Sequence, residues 1–170
     1  MNSFKKYSWL SFAFAILLSC SACGVYSFTG ASVSPDVKTF CVDLFKDQSL
    51  ANPNLPQALT DNLRDKLASQ TNLSAVSFDG DIKFSGTILS YDVNPVTSTT
   101  TDIASDSRLK IVVKVDFENE YEEENNFSQN FSAFADFSRN TNFNTVEQSL
   151  VVEINDLLVD EIFNKALVNW

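Results

Sequence analysis

The chain has 170 residues, with 12 basic and 22 acidic side chains, three cysteines and no histidine, for a formal net charge of −10. So acidic a chain is a poor partner for nucleic acid, whose phosphates need Lys and Arg to neutralise them, and for broad attraction to an anionic membrane surface. Without histidine it lacks the commonest general base, the Ser/His/Asp and Cys/His nucleophile arrangements and most zinc sites. An enzyme is therefore not expected, nor a metal or other cofactor.

Behind Lys5 and Lys6 comes a short apolar run, Trp9 to Leu18, that ends in small residues and cysteine. It is about 10 residues long, half of the roughly 20 that a spanning helix needs, so it reads as the core of a signal sequence. A cysteine at its end is the mark of a bacterial lipoprotein precursor. Two cysteines fit. Cys20 follows Leu17-Leu18-Ser19, the apolar-x-small pattern, and Cys23 follows a small residue, Ala22. Several acyl chains on one cysteine give durable membrane attachment where one alone is marginal. Residues 24–32 are small, polar and punctuated by glycine, with Tyr26 and Phe28 spaced by two, and read as an extended tether.

From Val37 to Phe45 apolar and polar residues alternate, with Phe40, Val42 and Leu44 on one side, which predicts a strand. Asn52-Pro53-Asn54 is a turn signal. Leu55, Leu59, Leu63 and Leu67 then recur every fourth residue, with Asp61, Arg64, Asp65 and Lys66 on the other faces. This predicts an amphipathic helix over 55–70, with Pro56 harmless in its first turn. A short apolar piece, Leu73 to Phe78, leads to Asp79-Gly80, a possible two-residue hairpin turn.

A long alternating run follows, with Ile82, Phe84, Gly86 and Ile88 on one face and Pro95 at its end. Residues 96–107 are rich in Thr and Ser and read as a loop. From Arg108 the period of two returns, with Leu109, Ile111, Val113, Val115 and Phe117 inward and Lys110, Lys114, Asp116 and Glu118 outward. Residues 119–125 form a hairpin tip. The next strand carries Phe127, Phe131, Ala133, Ala135 and Phe137 on one side, while Phe134 faces the polar side. Asn144 and Glu147 have the spacing of a capping box. A last helix then carries the stripe Val146, Leu150, Ile154, Leu158, Ile162 and Ala166, widened by Val151 and Leu157. The expected fold is α+β: two amphipathic helices packed on one face of a mainly antiparallel four-stranded sheet.

Few groups here suggest chemistry. Cys41, in Phe40-Cys41-Val42, reads as a small buried hydrophobe. The acidic run 120–124 lacks the glycines and ligand order of a calcium loop and reads as a solvated tip that discourages edge pairing. Arg108, Lys110 and Lys114 form the best cationic cluster. It is either a solvated sheet face balanced by neighbouring acids or a contact for lipid phosphates.

Four stretches resemble the lipopolysaccharide-assembly lipoproteins of the LptE type. They are Cys23-Gly24-Val25-Tyr26-Ser27-Phe28-Thr29-Gly30, Ser69-Gln70-Thr71-Asn72-Leu73, residues 131–137 and residues 161–170. The resemblance favours Cys23 as the acylated residue where the local pattern favours Cys20. It implies a signal peptide over 1–22, a tether over 23–36 and an α+β domain over 37–170. It further implies an outer-membrane lipoprotein on the periplasmic face that assembles with a large β-barrel exporter and helps deliver lipopolysaccharide to the outer leaflet. Gly24 after the anchor, with no acid before Asp36, fits outer-membrane sorting. The alternative is a periplasmic accessory of another envelope transport system, without lipopolysaccharide contact.

Overall fold

The structure is a computed structural model that describes residues 34–96 and 106–168. The signal sequence, Cys20, Cys23, most of the tether and most of the Thr/Ser-rich loop lie outside the described residues. In chain order the elements are β1 (Thr39–Val42), β2 (Lys46–Asp47), α1 (Leu55–Gln70), β3 (Ser74–Ala75), β4 (Ile82–Val96), β5 (Asp106–Asn119), β6 (Phe127–Ser138) and α2 (Phe143–Leu167), with a 3-10 turn at Glu123–Asn125 before β6.

Four strands were expected, and among the described residues the sheet has six, in the order β3-β1-β4-β5-β6, with β2 beside β4. The added strands β2 and β3 are two residues each, too short to show any alternation. The three long strands pair antiparallel, while β1 pairs parallel with both β3 and β4, and β2 parallel with β4. A parallel pair needs a crossover connection, and α1 supplies it between β1 and β4. Asp79-Gly80 therefore closes no hairpin. Gly80 lies against β1, where a Cβ would stand 2.6 Å from the Cys41 nitrogen.

β4 changes face once. Its register with β5 slips between Ile88 and Ser90, leaving Leu89 as a bulge. Before the bulge Ile82, Phe84 and Ile88 face the core; after it Tyr91 and Val93 take that side, opposite Ile111 and Leu109. The helices cover this face alone. Leu55, Leu59, Leu63 and Leu67 of α1 and Leu150, Ile154, Leu158 and Ile162 of α2 join the inward residues of β1, β4, β5 and β6 in one buried cluster. Burying each such side chain is worth about 1.5–3 kcal/mol. A run of phenylalanines ties the strands together, with ring centroids 4.9 Å apart for Phe84–Phe117 and 5.3 Å for Phe117–Phe127.

Two local expectations need correction. The strand at β1 ends at Val42, so Leu44 is 59 % exposed and Phe45 takes the core position. The backbone turns there because Phe45 donates its N–H to Thr60 Oγ1 at 3.1 Å and Arg64 Nη2 holds the Val42 carbonyl at 2.8 Å. The cap of α2 is Asn142, whose side chain accepts the Asn144 N–H at 3.0 Å, so Asn144 lies inside the helix. Glu147 is engaged elsewhere. Its Oε1 accepts the Tyr91 hydroxyl at 2.7 Å.

Candidate functional site

The uncovered face of the sheet brings together the cations that the sequence singles out. On β5 the outward residues are Arg108, Lys110, Val112, Lys114, Asp116 and Glu118, because the inward set between them is buried. Six residues of strand separate Arg108 from Lys114, about 20 Å of rise. All three cations thus share one face without meeting at one point.

Their neighbours are set by register. Arg108 stands between Asn94 and Asp136, Lys110 between Asp92 and Phe134, and Lys114 between Thr87 and Asn130. Arg108 is engaged twice. Its Nε donates to Asp136 Oδ1 at 2.6 Å and its Nη2 to Asp136 Oδ2 at 2.8 Å, a two-pronged geometry that suits guanidinium and carboxylate. Its guanidinium carbon also lies 3.7 Å from the centre of the Phe134 ring, a cation–π stack. Phe134, the aromatic residue that breaks the polar pattern of β6, is 47 % exposed and serves as the platform for this arginine.

Lys114 Nζ stands 3.2 Å from Asp116 Oδ1, and the same oxygen accepts the Ser128 hydroxyl. Lys110 makes no ion pair among the described residues. The charge states follow from these contacts. The Arg108 hydrogen bonds hold the Asp136 carboxyl below the usual carboxylate range. The Ser128 hydroxyl, with Lys114 beside it, does the same for Asp116. Two of the three cations are therefore ion-paired with acids on the same face, while Lys110 stands opposite Asp92 without an ion pair among the described residues.

Sequence reasoning allowed for a cluster balanced by neighbouring acids, as Asp116 is for Lys114, but missed Asp136 as the partner of Arg108. The two lie 28 residues apart and meet only through the β5–β6 register. Cys41 is buried, as expected. Burial, with Asp43 close by, raises its thiol above the ordinary value, which leaves it a poor nucleophile. The acidic residues of the hairpin tip, Glu120, Glu123 and Glu124, are exposed. Among the described residues no group of three or more Cys, Asp or Glu side chains is placed to hold a metal ion, and no helix is long and apolar enough to cross a membrane.

The sequence model of the LptE family, described as lipopolysaccharide-assembly, matches residues 37–166. The chain belongs to the LptE family. No curated protein matches it. Among solved structures, the fold of this LptE-family chain is similar to three others at low identity. A minor lipoprotein from Acinetobacter baumannii shares 12 % identity at a TM-score of 0.50, over 76 % of this chain and 91 % of the other. A hypothetical protein from Chlamydia trachomatis shares 8 % at 0.52, over 78 % and 99 %. A protein from Xanthomonas campestris shares 8 % at 0.53, over 81 % and 90 %. At such identities the likeness concerns the fold alone.

Proposed function

We propose that this LptE-family chain is an outer-membrane lipoprotein. It is held at the periplasmic face by acyl chains on Cys23, or on Cys20, and acts as a docking and assembly factor, not a catalyst. Its partner in this reading is a large β-barrel exporter, which it helps to assemble and to load with lipopolysaccharide for the outer leaflet. The observation that carries the reading is the family match over residues 37–166. The lipoprotein signal at 9–24 supports it.

Depletion of the protein tests it. Surface lipopolysaccharide and the amount of correctly folded exporter should both fall; if both stay normal, the proposal is wrong. Recovery of the protein from detergent-solubilised membranes should bring a large barrel protein with it.

For direct contact with lipopolysaccharide phosphates, the residues in play are Arg108, Lys110 and Lys114. Lys110 carries most of the interaction, since Arg108 and Lys114 already face Asp136 and Asp116. Lys110→Glu should weaken binding of the protein to immobilised lipopolysaccharide. The same ion pairs favour a second reading, an accessory of the envelope machinery that never touches the lipid. No binding of the parent protein to immobilised lipopolysaccharide would select it, whereas binding unchanged in the triple variant Arg108→Gln, Lys110→Gln, Lys114→Gln would place the contact elsewhere.

A further inference from the structure

The helix layer, on the opposite side from the cationic strand face, holds a cleft of about 770 Å³ between α1 and the first half of α2. That size lies within the range of about 300–1,000 Å³ common for ligand sites. Its lining is unusual in chemistry. Six carboxamides contribute: Asn52, Asn54, Asn62, Asn144, Gln148 and Asn155. Asn155 sits in the buried stripe of α2 and is 2 % exposed, yet its Oδ1 has no hydrogen-bond partner among the described residues. A buried carbonyl left unpaired is costly, and native proteins rarely retain one without a reason. The Asn155 side chain lines the cleft, with this oxygen shielded from solvent.

The rest of the lining narrows the identity of a ligand. The ionisable groups are Glu147 and Asp156, both acidic, and no Lys or Arg lines the cleft. Phosphates and other anions are therefore repelled, and a cation is favoured. Glu147 Oε1 already accepts from Tyr91, with Asn52 Nδ2 at 3.4 Å. The exposed Asp156 makes no ion pair among the described residues. No aromatic ring lines the cleft for a sugar to stack on. Ala58, Val151 and the 51 % exposed Val152 instead offer small apolar contacts. Carboxamides match a peptide main chain donor for acceptor.

We propose that this cleft binds an extended, lysine- or arginine-bearing peptide segment of a partner protein, whose main chain pairs with the lining carboxamides and whose basic side chain meets Asp156. The inference goes beyond the exporter reading, since it concerns the opposite side of the molecule and holds whatever the sheet face contacts.

The test uses the isotope-labelled protein and three probes: acetyl-Thr-Lys-Val-Lys-Thr-amide, its Glu-for-Lys counterpart and maltose. The lysine peptide should shift the Asn155 side-chain amide and the Val151 and Val152 methyl signals saturably. The glutamate peptide should bind at least about tenfold more weakly, a difference of about 1.4 kcal/mol, and maltose should leave these signals unmoved. Asn155→Leu should keep the thermal midpoint or raise it while losing about tenfold or more in peptide affinity. Should that variant fail to fold, Asp156→Lys, at an exposed position, should abolish lysine-peptide binding at an unchanged midpoint. Equal binding of the two peptides, binding of maltose instead, or no shift with the lysine peptide overturns the proposal. So does a lowered midpoint in Asn155→Leu without any peptide binding by the parent, the signature of an oxygen satisfied by water alone.

Discussion

A methyl group added at Gly86 would lie 2.5 Å from the Phe45 ring and 2.6 Å from the Lys114 carbonyl oxygen. The glycine lets Phe45 lie flat on the sheet, so the ring fills the core place that alternation assigned to Leu44. Gly86→Ala should cost about 1–3 kcal/mol, the usual penalty for overpacking, read as a lower urea midpoint with an unchanged slope. Asp81 acts at the same scale. Its Oδ2 accepts the Lys38 and Thr39 N–H groups at 2.7 and 2.8 Å and so fastens the start of β1 to β4. These bonds lower its pKa from the ordinary 3.8. A lowered folded-state value means that the carboxylate stabilises the fold above pH 3.8, and that this help is lost as pH falls through the lower value. Asp81→Asn, which keeps an acceptor oxygen, should therefore be less stable than the parent at neutral pH. The gap should close in acid, as denaturation at a series of pH values would record.

At the scale of elements, the two helices differ in how much of them was legible. The leucine repeat of α1 appears in the structure with the same bounds, 55–70, and all four leucines buried. Leu63→Ala should cost about 2–5 kcal/mol, because the site is closed by sheet and helix and cannot collapse. The start of α2 was misplaced. Asn144 and Glu147 have the right spacing for a box, but Glu147 accepts from Tyr91, 56 residues away, and a local motif cannot form when a distant strand takes its acceptor. Asn142→Ala should lower stability by about 1 kcal/mol, while Asn144→Ala should change it little, a contrast that thermal melts of the pair would settle. The bulge at Leu89 was also hidden. The apolar residues on either side of it are in phase within each half of β4, and only the partner strand shows the slip.

Over the whole molecule, one core cluster takes in residues from β1 to α2. With no separate second core among the described residues, unfolding should be a single transition, with far-ultraviolet dichroism and tyrosine fluorescence changing together. Non-coincident curves would mean that the helix layer parts from the sheet first. The same layering divides the surfaces. One side presents a strand ladder of paired charges, the other a carboxamide-lined cleft between helices.

What the sequence determined by itself was periodic or compositional: the lipoprotein-like start, the acidic balance, both helices, the three long strands and, away from Leu44 and the bulge in β4, the side on which their residues fall. A period of two or of about 3.6 is a property of neighbours along the chain, so it survives without knowledge of the fold. What the tertiary structure alone decided was pairing. It set the parallel seating of β1, the two-residue strands β2 and β3, the Arg108–Asp136 clasp on Phe134 and the unpaired oxygen of Asn155. Each of these depends on which distant backbone or side chain arrives opposite, and no spacing along the chain encodes that.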